Sequence, residues 1–240
     1  MLNWKLAIPS AFTLGNLFSG FVGIVFAFKG EFQISFLLIL LAAFLDFWDG
    51  LLARKLKVDG ELGKQLDSLA DAVTFGALPA LLIYLIMLKG GIYLDILKPL
   101  SNALPYFSGL ILLSSVWRLA KFNTDSEQST YFKGLATPAS AILIGAIANS
   151  FYYKGFYYPI FWFNEVNLIF VLLLSWFLNA KMRLLSFKFA EYSLAGNKSR
   201  YLLILLSLLS VFFYSFEAIP IIVILYIGVS LIHFKTNHEI

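Results

Sequence analysis

Eight apolar stretches follow one another along this chain, at roughly 11–28, 32–53, 64–88, 103–122, 136–153, 160–180, 200–216 and 218–234. A helix that crosses the ~30 Å hydrocarbon core of a bilayer needs about 20 predominantly apolar residues. Unpaired backbone groups are too costly in lipid for any open structure to span it. The pattern therefore predicts an all-α, polytopic transmembrane bundle of about eight spans. Composition agrees: 60% of the residues are hydrophobic and 13% charged, where a soluble domain carries about 25% charged residues. No soluble insertion interrupts the series, so residues 1–240 read as a single integral membrane domain. The last two stretches are short and separated only by the turn around Glu217 and Pro220, which predicts a C-terminal helical hairpin over 196–240. The fifth stretch is rich in small residues, which suits close helix packing. The start, with one lysine, an early proline and no small-residue cleavage site, reads as a retained segment rather than a cleaved signal peptide.

Eight spans put both termini on one side. Of the 18 lysines and arginines, fourteen fall at the ends and in the loops on that side, among them Arg54, Lys55, Lys57, Lys64, Arg118, Lys121 and Lys133. Lys29, Lys89, Lys98 and Lys154 fall on the other. The positive-inside rule then predicts a multi-pass protein of the cell (inner) membrane with cytoplasmic termini. The loops at 54–64 and 121–135 are cytoplasmic in this reading. The aromatic cluster Tyr152, Tyr153, Phe156, Tyr157, Tyr158 and Trp162 suits the opposite interface.

There is no cysteine, and the two histidines, His233 and His238, lie near the C-terminus. Thiolate and histidine-rich metal sites are excluded, so any metal must be held by oxygen. Of the 14 acidic residues, ten, Glu165 among them, fall in predicted loops or at ends and read as solvated charge. Asp46, Asp49, Asp67 and Asp71 sit in helical segments, where acids are costly and mark function. Asp46 and Asp49 are three apart and Asp67 and Asp71 four apart, so each pair shares a helix face. The two helices are consecutive and predicted to pack antiparallel, which lets the acidic faces meet near the cytoplasmic end. Arg54 and Lys64 cannot neutralise four carboxylates that repel one another in a low dielectric. The set describes a site for hard divalent cations, two of them. Gly50, Ala53 and Gly63 keep the surrounding faces small, and Arg54 is placed to pair with a phosphate. A proton or sodium pathway is a rival reading of the same acids. It predicts an inverted second acidic element, and 136–234 holds only Glu165, Glu191 and Glu217. A purely structural membrane protein leaves the four aspartates without a purpose.

The run Asp46-Phe47-Trp48-Asp49-Gly50-Leu51-Leu52-Ala53-Arg54, eight residues, Gly63, three residues, Asp67, three residues, Asp71 resembles the signature of the CDP-alcohol phosphotransferases, D-x2-D-G-x2-A-R-x8-G-x3-D-x3-D, at all eight fixed positions. The resemblance implies a CDP-linked lipid whose lipid-side phosphate is attacked by an alcohol, with CMP released. It implies Asp46, Asp49, Asp67 and Asp71 as ligands of two divalent cations, Mg2+ or Mn2+ with Ca2+ as a bound substitute, and Asp71 also as general base. Gly50, Ala53 and Gly63 would line the cytidine pocket and Arg54 would bind phosphate. A six-helix core plus a C-terminal pair, and a homodimer, are implied too. No nucleic-acid partner is expected.

Two further runs resemble the membrane-embedded phosphatidylserine synthase branch: IPSAFTLGNLFSG at 8–20, and WRLAKFN at 117–123 followed by STYFKGLATPASA at 129–141. The resemblance covers roughly 8–145. Ala136 stands where that branch has proline, so the loop is expected to differ there. The implied reaction takes CDP-diacylglycerol, or CDP-archaeol in an archaeon, and L-serine to phosphatidylserine and CMP. A serine carboxylate needs a cation: Arg118, Lys121 and Lys133 are the candidates, with Asn123 orienting. Lys121 and Lys133 read equally well as interface anchors. Thr13 and Asn16, one turn apart, could contact the CDP-lipid; helix capping is their other reading. Glycerol 3-phosphate or inositol phosphate is the alternative acceptor.

Overall fold

The computed structural model describes residues 4–58, 60–124, 131–152, 159–185 and 197–236. The expectations that fall on Asp59, Asp125, Glu127, Lys154, the aromatics at 153–158, Lys188, Glu191, His238 and Glu239 lie outside these residues.

The described residues are helical nearly throughout. Helices α1 (Trp4–Phe28) and α2 (Phe32–Leu56) form an antiparallel hairpin, and α3 (Glu61–Asp71) follows after a short loop. A single π-helical turn, Ala72–Ala77, joins α3 to α4 (Leu78–Lys89), and the three run on as one rod. Then come α5 (Gly109–Thr124), α6 (Thr137–Tyr152), α7 (Asn164–Asn179), α8 (Lys198–Tyr214) and α9 (Ile219–Thr236). Taking the α3–π–α4 rod as one, the helical segments correspond to the eight apolar stretches. Ala7–Phe28, Phe32–Leu56, Glu61–Lys89 and Lys198–Lys235 are long and apolar enough to cross a membrane, whereas α6 and α7 are shorter apolar helices. Bulky apolar side chains such as Phe18 (67% exposed) and Phe212 (82%) stand on the outer surface, as a lipid solvent permits and water rarely does. The protein is a polytopic membrane helix bundle.

Two details depart from the sequence expectation. Helix α1 begins at Trp4 and carries Pro9 inside it, because one missing N–H costs a single backbone bond near a helix start. Glu165, expected as solvated charge, is only 9% exposed. Its Oε1 accepts the backbone N–H groups of Tyr93 and Leu94, each at 2.7 Å, and so fastens the loop after α4 to the start of α7.

The core is built where α2, the rod and α6 meet, around Phe32, Phe36, Ile39, Phe75, Leu82 and Ile86. Ala141 and Ala148 of α6 are fully buried and let α6 lie close against α2. The π turn is wedged between α1 and α5. On one side, a Cβ on Gly20 would stand 2.2 Å from Thr74 Oγ1 and 2.9 Å from Thr74 Cα, so only glycine admits that approach. The Thr74 hydroxyl donates to the Asn16 carbonyl at 3.1 Å.

Helices α8 and α9 fold back on each other at Ser215, whose backbone is left-handed in φ (52°). Ser199 near the start of α8 and His233 near the end of α9 meet at 3.0 Å between Oγ and Nδ1. A two-stranded antiparallel ribbon completes the fold: β1 (Tyr131–Lys133) pairs with β2 (Arg183–Leu185), Lys133 opposite Arg183. Gly134, at φ +72°, turns the chain out of β1 with its backbone against the carbonyls that end α7. Helix α6 then starts at Thr137 with Pro138 in its first turn, where proline is well suited. Ala136 therefore sits just ahead of a helix start and needs no proline-fixed angle.

Candidate active site

Asp46 and Asp49 lie on the last turns of α2, and Asp67 and Asp71 on the last turns of α3. Carboxylate oxygens of Asp46, Asp49 and Asp67 all lie within 4.8 Å of one another. Cations bound at 2.0–2.6 Å by oxygen span opposite ligands by ~4–5 Å, so one ion could be shared by the three. The helices do not meet as the spacing predicts. α2 and α3 both lean on α1 and scarcely touch through their backbones. The acids reach across a gap, and that gap is the site.

The gap is a cavity of about 370 Å³ lined by Pro9, Ser10, Thr13, Asp49, Gly50, Ala53, Arg54, Gly63, Lys64 and Asp67, with Val58 and Gly60 at the loop. Gly50, Ala53, Arg54 and Gly63, singled out in the sequence, thus share one wall system with two of the aspartates. A Cβ on Gly63 would meet nothing within 4 Å. Glycine here leaves room for a ligand rather than for a packed neighbour.

Helix α1 supplies the floor. Thr13 Oγ1 donates to Asp49 Oδ2 at 2.7 Å, and Asn16 Nδ2 to Asp71 Oδ1 at 3.0 Å. Both residues are buried in mid-helix, so neither is a cap. They hold the orientation of two carboxylates instead. The sequence reading missed this role because residues 36 and 55 positions apart carry no local signal of contact. Two polar atoms in the site are buried without a hydrogen-bond partner among the described residues: Asp67 Oδ1 and Asn16 Oδ1. Buried acceptors left bare in this way call for a ligand. An all-oxygen donor set with an orphaned carboxylate oxygen fits hard divalent cations, and Asp46, Asp49, Asp67 and Asp71 are the residues that could hold them.

The remaining candidates come from α5. Arg118 is half-buried in the helix, and its Nε makes no hydrogen bond among the described residues. Its charge interacts with that of Asp71. Asn123 donates through Nδ2 to Ser68 Oγ at 2.7 Å and ties the end of α5 beside Asp67. Lys121 places its ammonium over the exposed Trp117 ring, 5.5 Å from the centroid, a cation–π contact that suits an interface anchor. Lys133 is exposed on the ribbon opposite Arg183. Arg118 and Asn123 thus reach the acidic cluster's surroundings, while Lys121 and Lys133 lie on the outer face and the ribbon.

The family model of the CDP-alcohol phosphatidyltransferases matches residues 6–180. The chain belongs to this family. Among its relatives, it is 34% identical over 155 residues to the archaetidylserine synthase of Methanothermobacter thermautotrophicus, an alignment of 63% of this chain and 60% of that protein. It is 33% identical over 137 residues to the CDP-diacylglycerol–serine O-phosphatidyltransferase of Bacillus subtilis, covering 57% of this chain and 72% of the relative. The enzyme of the same name from Helicobacter pylori is 28% identical over 232 residues, 94% of this chain and 90% of that one. The family match ends close to the end of α7, so β2 and the α8–α9 hairpin lie beyond it.

Proposed function

We propose that this CDP-alcohol phosphatidyltransferase moves the phosphatidyl group of CDP-diacylglycerol, or the corresponding archaetidyl group, to L-serine, giving phosphatidylserine or archaetidylserine and CMP. The observation that carries the reading is the cluster of Asp46, Asp49 and Asp67 at a cavity that Asp49 and Asp67 line together with Gly50, Ala53, Arg54 and Gly63. The relatives' names suggest the acceptor, and Arg118, whose charge acts on Asp71, is the candidate cation for its carboxylate.

Two divalent cations, Mg2+ or Mn2+, on Asp46, Asp49, Asp67 and Asp71 would supply charge neutralisation for the pyrophosphate and for the departing CMP. The chain's own residues do the rest. The small wall at Gly50, Ala53 and Gly63 admits the cytidine, and Arg54 pairs with a phosphate oxygen. Asn16 orients Asp71, whose carboxylate faces the serine hydroxyl. The hydroxyl oxygen bonds to the lipid-side phosphorus as the bond from that phosphorus to the bridging oxygen breaks. The bridging oxygen leaves with CMP, and the hydroxyl proton passes to Asp71. Arg118 pairs with the serine carboxylate and so fixes the hydroxyl's approach, which is where positioning accelerates the step. The excess of basic residues on one side supports a cytoplasmic site in the cell membrane.

The test is CMP release by purified protein given CDP-diacylglycerol, Mn2+ or Mg2+, and L-serine, glycerol 3-phosphate or inositol phosphate in turn. Release with serine alone, lost in Asp67→Asn and Asp71→Asn, is expected. Release with a phosphorylated acceptor instead would move the acceptor assignment. Full turnover by Asp71→Asn would remove the base from it.

A further inference from the structure

The family signature leaves three free positions between Gly63 and Asp67, and Lys64 fills the first of them. It nevertheless lines the cavity between α2 and α3, as Arg54 does from the facing helix. Helix α2 runs toward the connecting loop and α3 away from it. Arg54 follows Asp49 on α2, and Lys64 precedes Asp67 on α3. At 1.5 Å of rise per residue, both cations are displaced along their helices by about 4–8 Å toward the loop. The cavity is thus acidic at one end and basic at the other. Both basic side chains are exposed, and among the described residues neither forms an ion pair. A lysine that only anchors the bundle at the interface stands on its outer face, as Lys121 does over the Trp117 ring. Lys64 differs because it forms part of the wall around Asp49 and Asp67.

Two divalent cations would balance the four carboxylates, which leaves Arg54 and Lys64 as charge for a ligand. The donor meets that demand. As the lipid-side phosphorus parts from the bridging oxygen, the bonding pair stays on that oxygen. The cytidine-side phosphate then passes from a diester with one negative charge to a monoester with roughly −1.5 to −2 at neutral pH. The planar fork of Arg54 suits a fixed pair of phosphate oxygens, whereas the lysine ammonium is a point charge on a flexible stem and can follow the group as its charge grows. We propose that Lys64 is a nucleotide-binding residue of this enzyme: with Arg54 it holds the cytidine-side phosphate of the CDP-lipid, and of the CMP that leaves, from the loop side of the cavity. This rests on the reading of the cavity as the CDP-lipid site.

The experiment measures CMP binding by calorimetry to the full chain in detergent at saturating Mn2+, beside cytidine, which lacks the phosphate. Lys64→Gln and Lys64→Arg are compared with the wild type. Lys55→Gln is the control, since Lys55 is exposed next to Arg54 but lies outside the cavity wall. Lys64→Gln should raise the Kd for CMP about five- to tenfold, the worth of one charge-assisted contact at a solvent-open site. Lys64→Arg should recover most of the affinity, and Lys55→Gln should bind CMP as the wild type does. The Kd for cytidine, the half-saturating Mn2+ concentration and the KM for L-serine should stay unchanged in Lys64→Gln, while the KM for CDP-diacylglycerol rises with the Kd for CMP. Unchanged CMP affinity in Lys64→Gln would overturn the proposal. An equal loss in Lys55→Gln would overturn it too, because the effect would then be the general field of the surface. So would an equal loss for cytidine or a shifted Mn2+ requirement, which would mark damage to the cavity or the acidic cluster. A wild type that binds no CMP would overturn the CDP-lipid reading and this proposal together. A wild type that binds CMP but transfers to none of the acceptors overturns the proposed reaction alone, and the variants' Kd values still decide the role of Lys64.

Discussion

The Asp49 carboxylate is held in part by a hydroxyl from another helix. Thr13 donates to it from a different helix at 2.7 Å, and partners of this kind are worth 10–100-fold in metal affinity. Thr13→Val keeps the shape and removes the donor. Its half-saturating Mn2+ concentration for CMP release should rise about tenfold, with turnover restored at high Mn2+; a metal titration of both proteins checks this. Gly63 gives a prediction of opposite sign for stability and binding. Nothing stands within 4 Å of its missing Cβ, and glycine inside a helix costs about 1 kcal/mol against a good helix former. Gly63→Leu should keep or raise the unfolding temperature while raising KM for the CDP-lipid about tenfold or more, since the side chain would fill the cavity. Thermal unfolding and substrate titration separate the two effects. The aspartates and small residues were legible in the sequence because their spacing is itself the signal. The partners of Asp49 and Asp71 were not, because hydrogen bonds between distant helices leave no mark on local pattern.

At the scale of elements, a π turn joins the helix that carries Asp71 to α4. It follows Asp71 immediately and is pinned by Thr74 against Asn16 and Gly20. Such turns shift the helix face by one extra residue and recur at functional sites. A run of apolar residues through 64–88 predicted one continuous helix, and apolar periodicity cannot distinguish a single π turn within it. Gly20→Ala would drive a Cβ into Thr74 at 2.2 Å, and overpacking of that kind costs about 1–3 kcal/mol. The variant should unfold at lower temperature and lose activity by way of kcat, because the displaced turn directly follows Asp71. Thermal unfolding followed beside kcat tests it. The separation of α2 and α3 has the same origin. Consecutive helices were expected to pack on each other, but α1 offers each a closer partner. The space left between them is the cavity proposed for the CDP-lipid.

For the whole molecule, four carboxylates on two neighbouring helices are a standing electrostatic strain that bound cations would relieve. Divalent cations bound to the folded state and not to the unfolded one raise stability by mass action. Stripping the protein with chelator should lower its unfolding temperature by several degrees, and Mn2+ or Mg2+ should restore it. Asp67→Asn should abolish most of that restoration, which a metal titration followed by thermal unfolding would show. A metal-independent unfolding temperature in the wild type would argue against the cation site.

By itself the sequence determined that the chain is a membrane helix bundle, because apolar runs of spanning length admit little else. It also determined the family, because eight fixed positions carry its signature. Only the tertiary structure decided that α2 and α3 stand apart around a cavity, that α1 aims two of the carboxylates, and that Glu165 is tied to backbone N–H groups rather than solvated. Each is a contact between segments far apart in the chain. Helix periodicity says which face of a segment is buried, whereas the identity of what lies across from that face is settled by packing of the whole bundle.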